Sequence, residues 1–191
     1  MKRALGRLRI IGGEFRSRVV EFEAAPGLRA TPDRVRQTLF DWLAPVIDGA
    51  RCLDLFAGSG ALGLEALSRG AAHVTFVETG AAQAASIRAA LATLGIADRA
   101  TVVAGDALAL LARPPPQAFE IAFLDPPFDA GLLAPALAAL PRALSADARV
   151  YAEWHRAGAL PWPVGYRVLR EKKAGQVSYA LATYTTGKTS A

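Results

Sequence analysis

Two patterns of hydrophobic and polar residues divide the chain near residue 45. In the first part, basic and apolar residues alternate over RLRII (7–11) and FRSRVVEF (15–22), with Gly12 and Gly13 between the two runs. Alternation with a period of two is typical of β-strands, and glycines between two such runs indicate a turn. The pattern predicts a β-hairpin whose basic side chains share exposed positions.

A helix is predicted after this hairpin, over about residues 31–44. Its apolar residues follow helical spacing at Val35, Leu39, Trp42 and Leu43. Thr31 is a candidate N-cap, and Pro32 suits the first turn because no backbone N–H is needed there. We expect Trp42 to pack in the core rather than to contact a ligand.

From Arg51 onward, apolar runs alternate with helical stretches. Strands are predicted near 51–56, 73–78, 100–104, 119–124 and 148–153, with helices near 60–69, 81–94, 106–112 and 131–143. Strands that are apolar on both faces and separated by single helices predict a parallel sheet covered on both sides. Two further alternating runs, at about 165–172 and 176–185, predict a closing hairpin.

The composition is that of one globular domain, with 191 residues, 52% hydrophobic and 20% charged. No run approaches the roughly 20 apolar residues of a membrane span, and the basic start lacks the apolar run of a signal peptide, so we expect a cytoplasmic protein. The chain has one cysteine, Cys52, and two histidines, His73 and His155, which excludes an internal disulfide and leaves no ligand set for a structural zinc or other metal. Cys52 lies in an apolar run, where an inert core thiol is favoured over a reactive one.

The positive charge is confined to one end of the chain. The net charge is +5, and the first 36 residues carry nine basic and four acidic side chains, so the whole surplus lies there. Clustered arginines attract phosphates, which favours docking of a polyanion at this end. The alternative is a solvated basic segment without a partner.

The strongest local motif runs from Asp54 to Gly63, DLFAGSGALG, at the end of the first core strand. Gly58, Gly60 and Gly63 have the spacing of a nucleotide-binding turn, in which missing side chains let backbone and helix N-terminus approach a ligand. Glu78 closes the next strand, where a carboxylate can bind both ribose hydroxyls. Asp106 follows the third strand, within reach of an adenine edge.

A dinucleotide-binding oxidoreductase would share these features. Two further features of the sequence distinguish the chain from that class of enzyme. Asp54 and Phe56 precede the glycines, and Asp-Pro-Pro-Phe at 125–128 ends the fourth strand. Consecutive prolines fix the backbone so that carbonyl and carboxylate oxygens converge, and the aromatic ring beside them offers a stacking face. This combination suits a planar base with an exocyclic amine and is typical of S-adenosylmethionine-dependent amino methyltransferases. Its alternative is a rigid strand-to-helix loop.

The chain resembles the bacterial RsmD family from Arg7 to about Tyr184. The resemblance rests on RIIGGEFRSR, LRATPDRVRQTLFDWL, DLFAGSGALGLEALSRGA, DPPF and KKAGQVSYALATY. DPPF alone fits many DNA and RNA amino methyltransferases, and the RIIGG and TPDRVRQTLF blocks narrow the match. One departure is Gly80, because relatives usually carry an acidic or amide residue shortly after the glutamate equivalent to Glu78.

The resemblance implies an α/β fold of the class I S-adenosylmethionine-dependent methyltransferases, Rossmann-like, with a mostly parallel seven-stranded sheet that ends in an antiparallel hairpin. It divides the chain into a basic hairpin and helix extension (1–45), the methyltransferase domain (46–186) and a flexible tail (187–191). The implied reaction is methylation of the N2 amine of a guanine in 16S ribosomal RNA. The expected partner is that RNA within the 30S subunit or an assembly intermediate, with no membrane and a monomeric enzyme.

Roles follow for individual residues. Asp125 and the carbonyl of Pro126 would accept the N–H bonds of the amine, with Pro127 as a rigid support and Phe128 stacking on a base withdrawn from its helix. The expected S-adenosylmethionine contacts are Thr31, Arg34, Asp54, Phe56, Ala57, Gly58, Gly60, Gly63, Glu78, Asp106 and Ala107. The expected RNA contacts are Arg7, Arg9, Arg16, Arg18, Arg29 and Arg36. Trp154 and His155 are expected to pack near the substrate face, and Glu153 is a strand-end residue without an assigned role.

Two alternatives remain beside this reading. A DNA adenine-N6 methyltransferase would use the same DPPF chemistry, although 191 residues leave little chain for a domain that reads DNA sequence. A noncatalytic RNA-binding protein would keep the fold, although an intact Asp125 argues against it. Asp54 and DPPF disfavour the oxidoreductase.

Overall fold

A computed structural model describes residues 5–24, 31–113, 115–160 and 162–185. The strands in these ranges are β1 (Leu5–Arg9), β2 (Val19–Glu23), β3 (Arg51–Asp54), β4 (His73–Glu78), β5 (Ala100–Ala104), β6 (Phe119–Leu124), β7 (Leu144–His155), β8 (Tyr166–Ala174) and β9 (Val177–Tyr184). The helices are α1 (Asp33–Leu43), α2 (Ala61–Ser68), α3 (Ala81–Leu94), α4 (Ala107–Leu111) and α5 (Leu133–Ala139), with short 3₁₀ turns at Ala97–Arg99, Phe128–Ala130 and Leu140–Ala143. Arg29 and the predicted tail at 187–191 lie outside the described residues.

Seven strands form one sheet in the order β5-β4-β3-β6-β7-β9-β8. Strands β3 to β7 run parallel, and β9 pairs antiparallel with both β7 and β8. The chain begins this sheet at β3, builds outward through β4 and β5, and then returns to place β6 on the other side of β3. The predicted mostly parallel sheet with a closing hairpin is confirmed.

Element bounds differ from the predicted ones where backbone hydrogen bonding overrides the hydrophobic pattern. Strands β4, β5 and β6 and helix α3 have the predicted bounds. Strand β7 begins four residues early, at Leu144, which pairs with Phe119 across an irregularity in the ladder. The predicted helix at 131–143 ends as a 3₁₀ turn that contains Pro141, because proline lacks the N–H that would continue the helix.

The predicted cap of α1 is wrong. Helix α1 begins at Asp33, Pro32 is the N-cap residue, and no side chain caps the helix. Thr31 turns away from the helix, and its hydroxyl contacts a residue 94 positions further along the chain.

Two apolar clusters cover the two faces of the sheet. One includes the inner side of the hairpin with α1, α2 and α3, and the other includes α4 and α5. Cys52 is fully buried in the first cluster, where burial raises the pKa of its thiol far above the usual value. The expectation of an inert core thiol is confirmed. Among the described helices, none has the length and apolar character to cross a membrane.

The N-terminal hairpin is docked on the end of α2 by its connecting residues. The backbone N–H groups of Glu14 and Phe15 donate to the carbonyl and hydroxyl of Ser68, at 2.7 and 2.9 Å. Gly13 has φ +73°, and a Cβ there would lie 1.8 Å from the Ser68 carbonyl oxygen. The glycine pair therefore serves a backbone contact with α2 as well as the turn, and β2 begins at Val19 rather than at residue 15.

The structure corrects the expectation for Arg36. Its side chain is 1% exposed and donates to Glu65, which is fully buried, at 3.2 Å. It also donates to the backbone carbonyls of Arg9 and Thr31, at 2.9 and 3.1 Å, and to the Asp33 carboxylate at 2.6 Å. A guanidinium enclosed in this way joins the hairpin to α2 and leaves no surface for an RNA phosphate.

Candidate functional site

The site lies at the carboxyl ends of the parallel strands, where the strand order reverses between β3 and β6. A crevice forms at such a switch point because the connections from the two strands leave toward opposite faces of the sheet. Asp54 ends β3, Glu78 ends β4 and Asp125 follows β6. The topology therefore brings three of the predicted site residues to one edge.

The turn after β3 is held by the carboxylates of two neighbouring strands. Asp54 is 3% exposed and accepts from the N–H of Gly63 at 3.0 Å. Glu78 accepts from the N–H of Gly58 at 2.7 Å. Gly58 and Gly60 have φ of 52° and 77°, a left-handed conformation that favours glycine. The turn is thus a fixed cradle between β3 and β4, with Ala57 buried inside it and Phe56 half-buried.

Gly63 has a packing role in the structure beside its predicted cofactor contact. A Cβ at this position would lie 2.1 Å from the ring of Phe76 on β4. The missing side chain lets α2 pack closely on the sheet, and its N–H orients Asp54. Gly63 therefore acts on the site through Asp54 and through helix packing.

The carboxylate of Glu78 is fixed at both oxygens. Its second oxygen accepts from the N–H of Gly80 at 2.6 Å. A Cβ at Gly80 would lie 2.1 Å from the amide oxygen of Gln83, so a larger residue there requires that side chain to move. The departure at Gly80 leaves the orientation of Glu78 intact.

The residues expected at the adenine flank the same edge. Asp106 is exposed and caps α4 by accepting from the N–H of Ala109 at 2.8 Å. Ala107 is 5% exposed and packs in the α4 and α5 cluster. Asp106 thus has a local structural role in addition to its predicted one.

The DPPF segment presents a half-buried acid beside an exposed ring. Pro126 is buried, Pro127 is exposed, and Phe128 is 41% exposed with its ring centroid 6.2 Å from that of His155. The Thr31 hydroxyl donates to Asp125 at 3.3 Å. Thr31 therefore reaches the site, whereas Arg34 lies exposed on the first turn of α1.

Burial dominates the electrostatics of this edge. The pKa of Asp54 is raised to about 7, chiefly by burial and also by the charges of Asp125 and Glu78, against a lowering by the bond from Gly63. Burial also raises the pKa of Asp125 to about 6, against a lowering by the Thr31 hydroxyl. Each carboxyl is costly to ionise beside the other, so the edge favours a ligand that brings positive charge.

Sequence reasoning did not assign a role to Glu153, and it missed Tyr151. Glu153 is 3% exposed, and the hydroxyl of Tyr151, itself fully buried, donates to it at 2.7 Å. Side chains two residues apart on a strand share a face, so Tyr151 and Glu153 both lie on the side of β7 that faces the cluster of the hairpin, α1, α2 and α3. The available signal was an acidic residue inside the apolar run predicted at 148–153.

The remaining predicted RNA contacts lie at the surface of the hairpin. Arg7 and Arg9 are exposed on β1, and Arg16 and Arg18 are exposed on the connection to β2. Arg9 also forms an ion pair with Asp33 at 2.8 Å, so it is already partly neutralised. These four arginines form a basic surface, which we call the arginine surface.

Comparisons with known proteins agree over nearly the whole chain. The family model described as conserved hypothetical protein 95 matches residues 8–183. Ribosomal RNA small subunit methyltransferase D of Escherichia coli K12 is 48% identical over 179 residues, covering 92% of this chain and 89% of that protein. The protein of the same name from Haemophilus influenzae is 42% identical over 182 residues, covering 93% and 94%.

Solved structures share the fold. An Escherichia coli structure provisionally named methyltransferase yhhF is 44% identical with a TM-score of 0.87, covering 94% of this chain and 99% of that one. The more distant structure SMU.776, complexed with SAH, has a TM-score of 0.70 over 86% of this chain and 53% of that one. At 14% identity it shows the shared fold alone.

Proposed function

The chain belongs to the RsmD family, and from that premise we propose that it transfers a methyl group from S-adenosylmethionine to the N2 amine of a guanine in small-subunit ribosomal RNA. The observation that carries the proposal is the position of Asp125. Its carboxyl is half-buried at the switch point, next to the glycine cradle, with an exposed aromatic ring three residues further on. A cofactor and a flat base can meet there.

The residues of the edge fit the cofactor. The positive φ of Gly58 and Gly60 gives the cradle a backbone path that other residues rarely adopt, and Glu78 is oriented to accept from ribose hydroxyls. S-adenosylmethionine supplies an electrophilic methyl group on a positively charged sulfur. Its positive charge would offset the buried acidity of Asp54 and Asp125.

The proposed cofactor residues are grouped by the part of S-adenosylmethionine that each would contact. Asp54, Phe56, Ala57, Gly58 and Gly60 hold the methionine and ribose side, Glu78 holds the ribose hydroxyls, Asp106 and Ala107 face the adenine, and Thr31 and Arg34 cover the site from the N-terminal side. Gly63 contributes by orienting Asp54.

The chain's own residues then orient the amine for attack. Guanine N2 is a weak nucleophile because its lone pair is delocalised into the ring. The Asp125 carboxylate and the Pro126 carbonyl accept its N–H bonds, which favours a pyramidal nitrogen, and Phe128 stacks on the withdrawn base. Asp125 accepts the released proton, directly or through water.

The arginine surface would bind phosphates of the same RNA. Such contacts position a nucleic acid without reading its sequence. One small basic surface offers few base contacts, so we propose that RNA shape within the 30S subunit or an assembly intermediate completes recognition by the monomeric enzyme.

The test is transfer of labelled methyl to 30S particles from cells that lack this protein, followed by nucleoside analysis. We expect label in N2-methylguanosine with the natural protein and none with Asp125→Ala. Asp129→Ala, at an exposed carboxylate in the same loop, is the matched control and keeps the activity. Label in DNA alone would support an adenine-N6 methyltransferase, and binding of RNA with no label would support a noncatalytic protein. Equal labelling of naked transcript would refute the requirement for the particle.

A further inference from the structure

Glu153 is a buried acid that the proposed reaction does not use. It lies on β7, the strand next to β6, which carries Asp125 at its end. The Thr31 hydroxyl donates to Asp125 at 3.3 Å, and Asp125 lies beside Glu153 because Leu124 and Ala152, the residues before them, pair across β6 and β7. Both the charge of Asp125 and the Thr31 hydroxyl act on the pKa of Glu153. One hydroxyl therefore lies beside a buried carboxyl group, that of Glu153, and a half-buried one, that of Asp125.

Hydrogen counting restricts how this arrangement can be satisfied. A threonine hydroxyl has one proton to donate and lone pairs that accept. If both carboxyls were ionised, Thr31 could donate to one of them only, and two like charges would share a buried space. If Glu153 is protonated, it donates to the Thr31 oxygen, and Thr31 donates to Asp125. The second arrangement leaves every group with a partner, since Tyr151 donates to the other Glu153 oxygen.

We propose that Glu153 is a positioning residue which, as a neutral acid, holds Thr31 so that its hydroxyl orients Asp125 as the one ionised carboxylate of the pair. This inference rests on the proposed methyltransferase function. The chain of donors runs from Glu153 through Thr31 to Asp125 and fixes the carboxylate that receives the amine.

The protonation states follow from the surroundings. The pKa of Glu153 is raised to about 8, chiefly by burial and also by the charge of Asp125, against a lowering by the bonds from Tyr151 and Thr31. The pKa of Asp125 is raised less, to about 6. Near neutral pH the proton therefore resides on Glu153, and above about pH 8 its ionisation breaks the donation to Thr31.

The groups that face Glu153 come from three elements. Tyr151 precedes it on β7, Asp125 follows β6, and Tyr179 lies opposite it on β9. Arg36 is connected to this group through its bond to the backbone carbonyl of Thr31, and its other bonds go to Glu65, Asp33 and the carbonyl of Arg9. The phenol of Tyr151 has its pKa raised well above the usual value, chiefly by burial, so it stays neutral over the range that matters.

Carboxyl NMR tests the protonation without any activity. With ¹³C-labelled glutamate, we expect one resonance that titrates near pH 8 and is absent from Glu153→Gln. Titration of the Glu153 resonance below pH 5, with the surface glutamates, would overturn the proposal. Because this readout needs no substrate, its result is independent of whether the methyl-transfer proposal stands.

Kinetics test the positioning role. Glutamine can donate to Thr31 and accept from Tyr151 but cannot ionise. We expect Glu153→Ala to lower kcat at least tenfold with the KM for S-adenosylmethionine within twofold, and Glu153→Gln to restore most of that rate. The natural protein should lose kcat above about pH 8, and Glu153→Gln should not.

A double-mutant cycle of Thr31 and Glu153 completes the test. Thr31→Ala should lose as much kcat as Glu153→Ala, and the double variant should lose no more than either one, because both act on Asp125 along the same chain. Additive losses, or an alkaline limb that survives in Glu153→Gln, would refute the proposal. Absence of methyl transfer by the natural protein on every substrate would refute the proposed function instead.

Discussion

The buried ion pair between Arg36 and Glu65 should be the most costly polar contact to break in the described structure. Glu65 is fully buried and accepts three hydrogen bonds, from the backbone of Ile11 and from the side chains of Arg36 and Arg69, at 2.9, 3.2 and 2.8 Å. Glu65→Ala removes the acceptor of all three bonds and leaves a guanidinium that is 1% exposed with only the exposed carboxylate of Asp33 as its charge partner. Breaking a buried pair from one side costs about 3–5 kcal/mol of unfolding free energy.

The assay is urea unfolding at neutral pH with a matched exposed control. Asp33→Asn removes a partner of the same arginine, but Asp33 is 47% exposed, so we expect a loss of at most about 1 kcal/mol. Glu65→Leu combined with Arg36→Met removes both charges and should be far less harmful than Glu65→Ala, because replacing a buried pair by apolar side chains is often neutral. A loss below about 1 kcal/mol for Glu65→Ala would refute the reasoning.

Two further predictions concern backbone strain and proton linkage. Gly13→Ala should lower the free energy of unfolding by about 2 kcal/mol or more, since its φ is positive and its Cβ would meet the Ser68 carbonyl. Gly175→Ala is the control: its φ is +55° but nothing lies within 4 Å of the added Cβ, so it should lower the free energy of unfolding by about 1 kcal/mol. Equal losses for the two variants in urea unfolding would contradict this. Binding of S-adenosylmethionine should release protons at pH 7 and tighten as pH rises from 5 to 8, because Asp54 and Asp125 have raised pKa values and are partly protonated until a cation lowers them. Calorimetry in buffers of different ionisation enthalpy measures this, and proton uptake would show the opposite sign.

The sequence predicted the parts of the fold that depend on local pattern. Strands β4, β5 and β6 are short apolar runs between turn residues, and their predicted bounds match the structure. The strand-end acids Asp54, Glu78 and Asp125 could be placed at one edge because parallel strands separated by helices end together. The glycine cradle followed from spacing alone.

Contacts between distant segments could not be predicted. Thr31 has the residue type of an N-cap, and nothing local indicates that its hydroxyl contacts Asp125 instead. Arg36 has the charge of an RNA contact, yet it lies one turn before Phe40, which is fully buried, on the inward side of α1. That spacing was a usable signal of burial, as was Glu65 within the otherwise apolar helix α2.

The basic N-terminal segment is divided between two tasks that its charge alone does not distinguish. Arg7, Arg16 and Arg18 face solvent on the hairpin, where they can meet phosphate. Arg36 faces inward and donates both to Glu65 on α2 and to the carbonyl of Thr31, the residue that contacts Asp125. Within the TPDRVR block, Asp33 joins the two tasks, since it pairs with both Arg9 and Arg36.

A consequence of this arrangement is that the arginine surface and the proposed catalytic carboxylate, Asp125, are both connected to Arg36. A phosphate that competes for Arg9 would weaken its bond to Asp33, and the Arg9 bond is the largest cause of the lowered pKa of that carboxyl. Asp33 would then pair with Arg36 alone, which holds Thr31 by its carbonyl. Under the proposed function, an RNA phosphate at the surface of the hairpin would therefore be connected to Asp125 through Arg9, Asp33, Arg36 and Thr31, which are joined by hydrogen bonds.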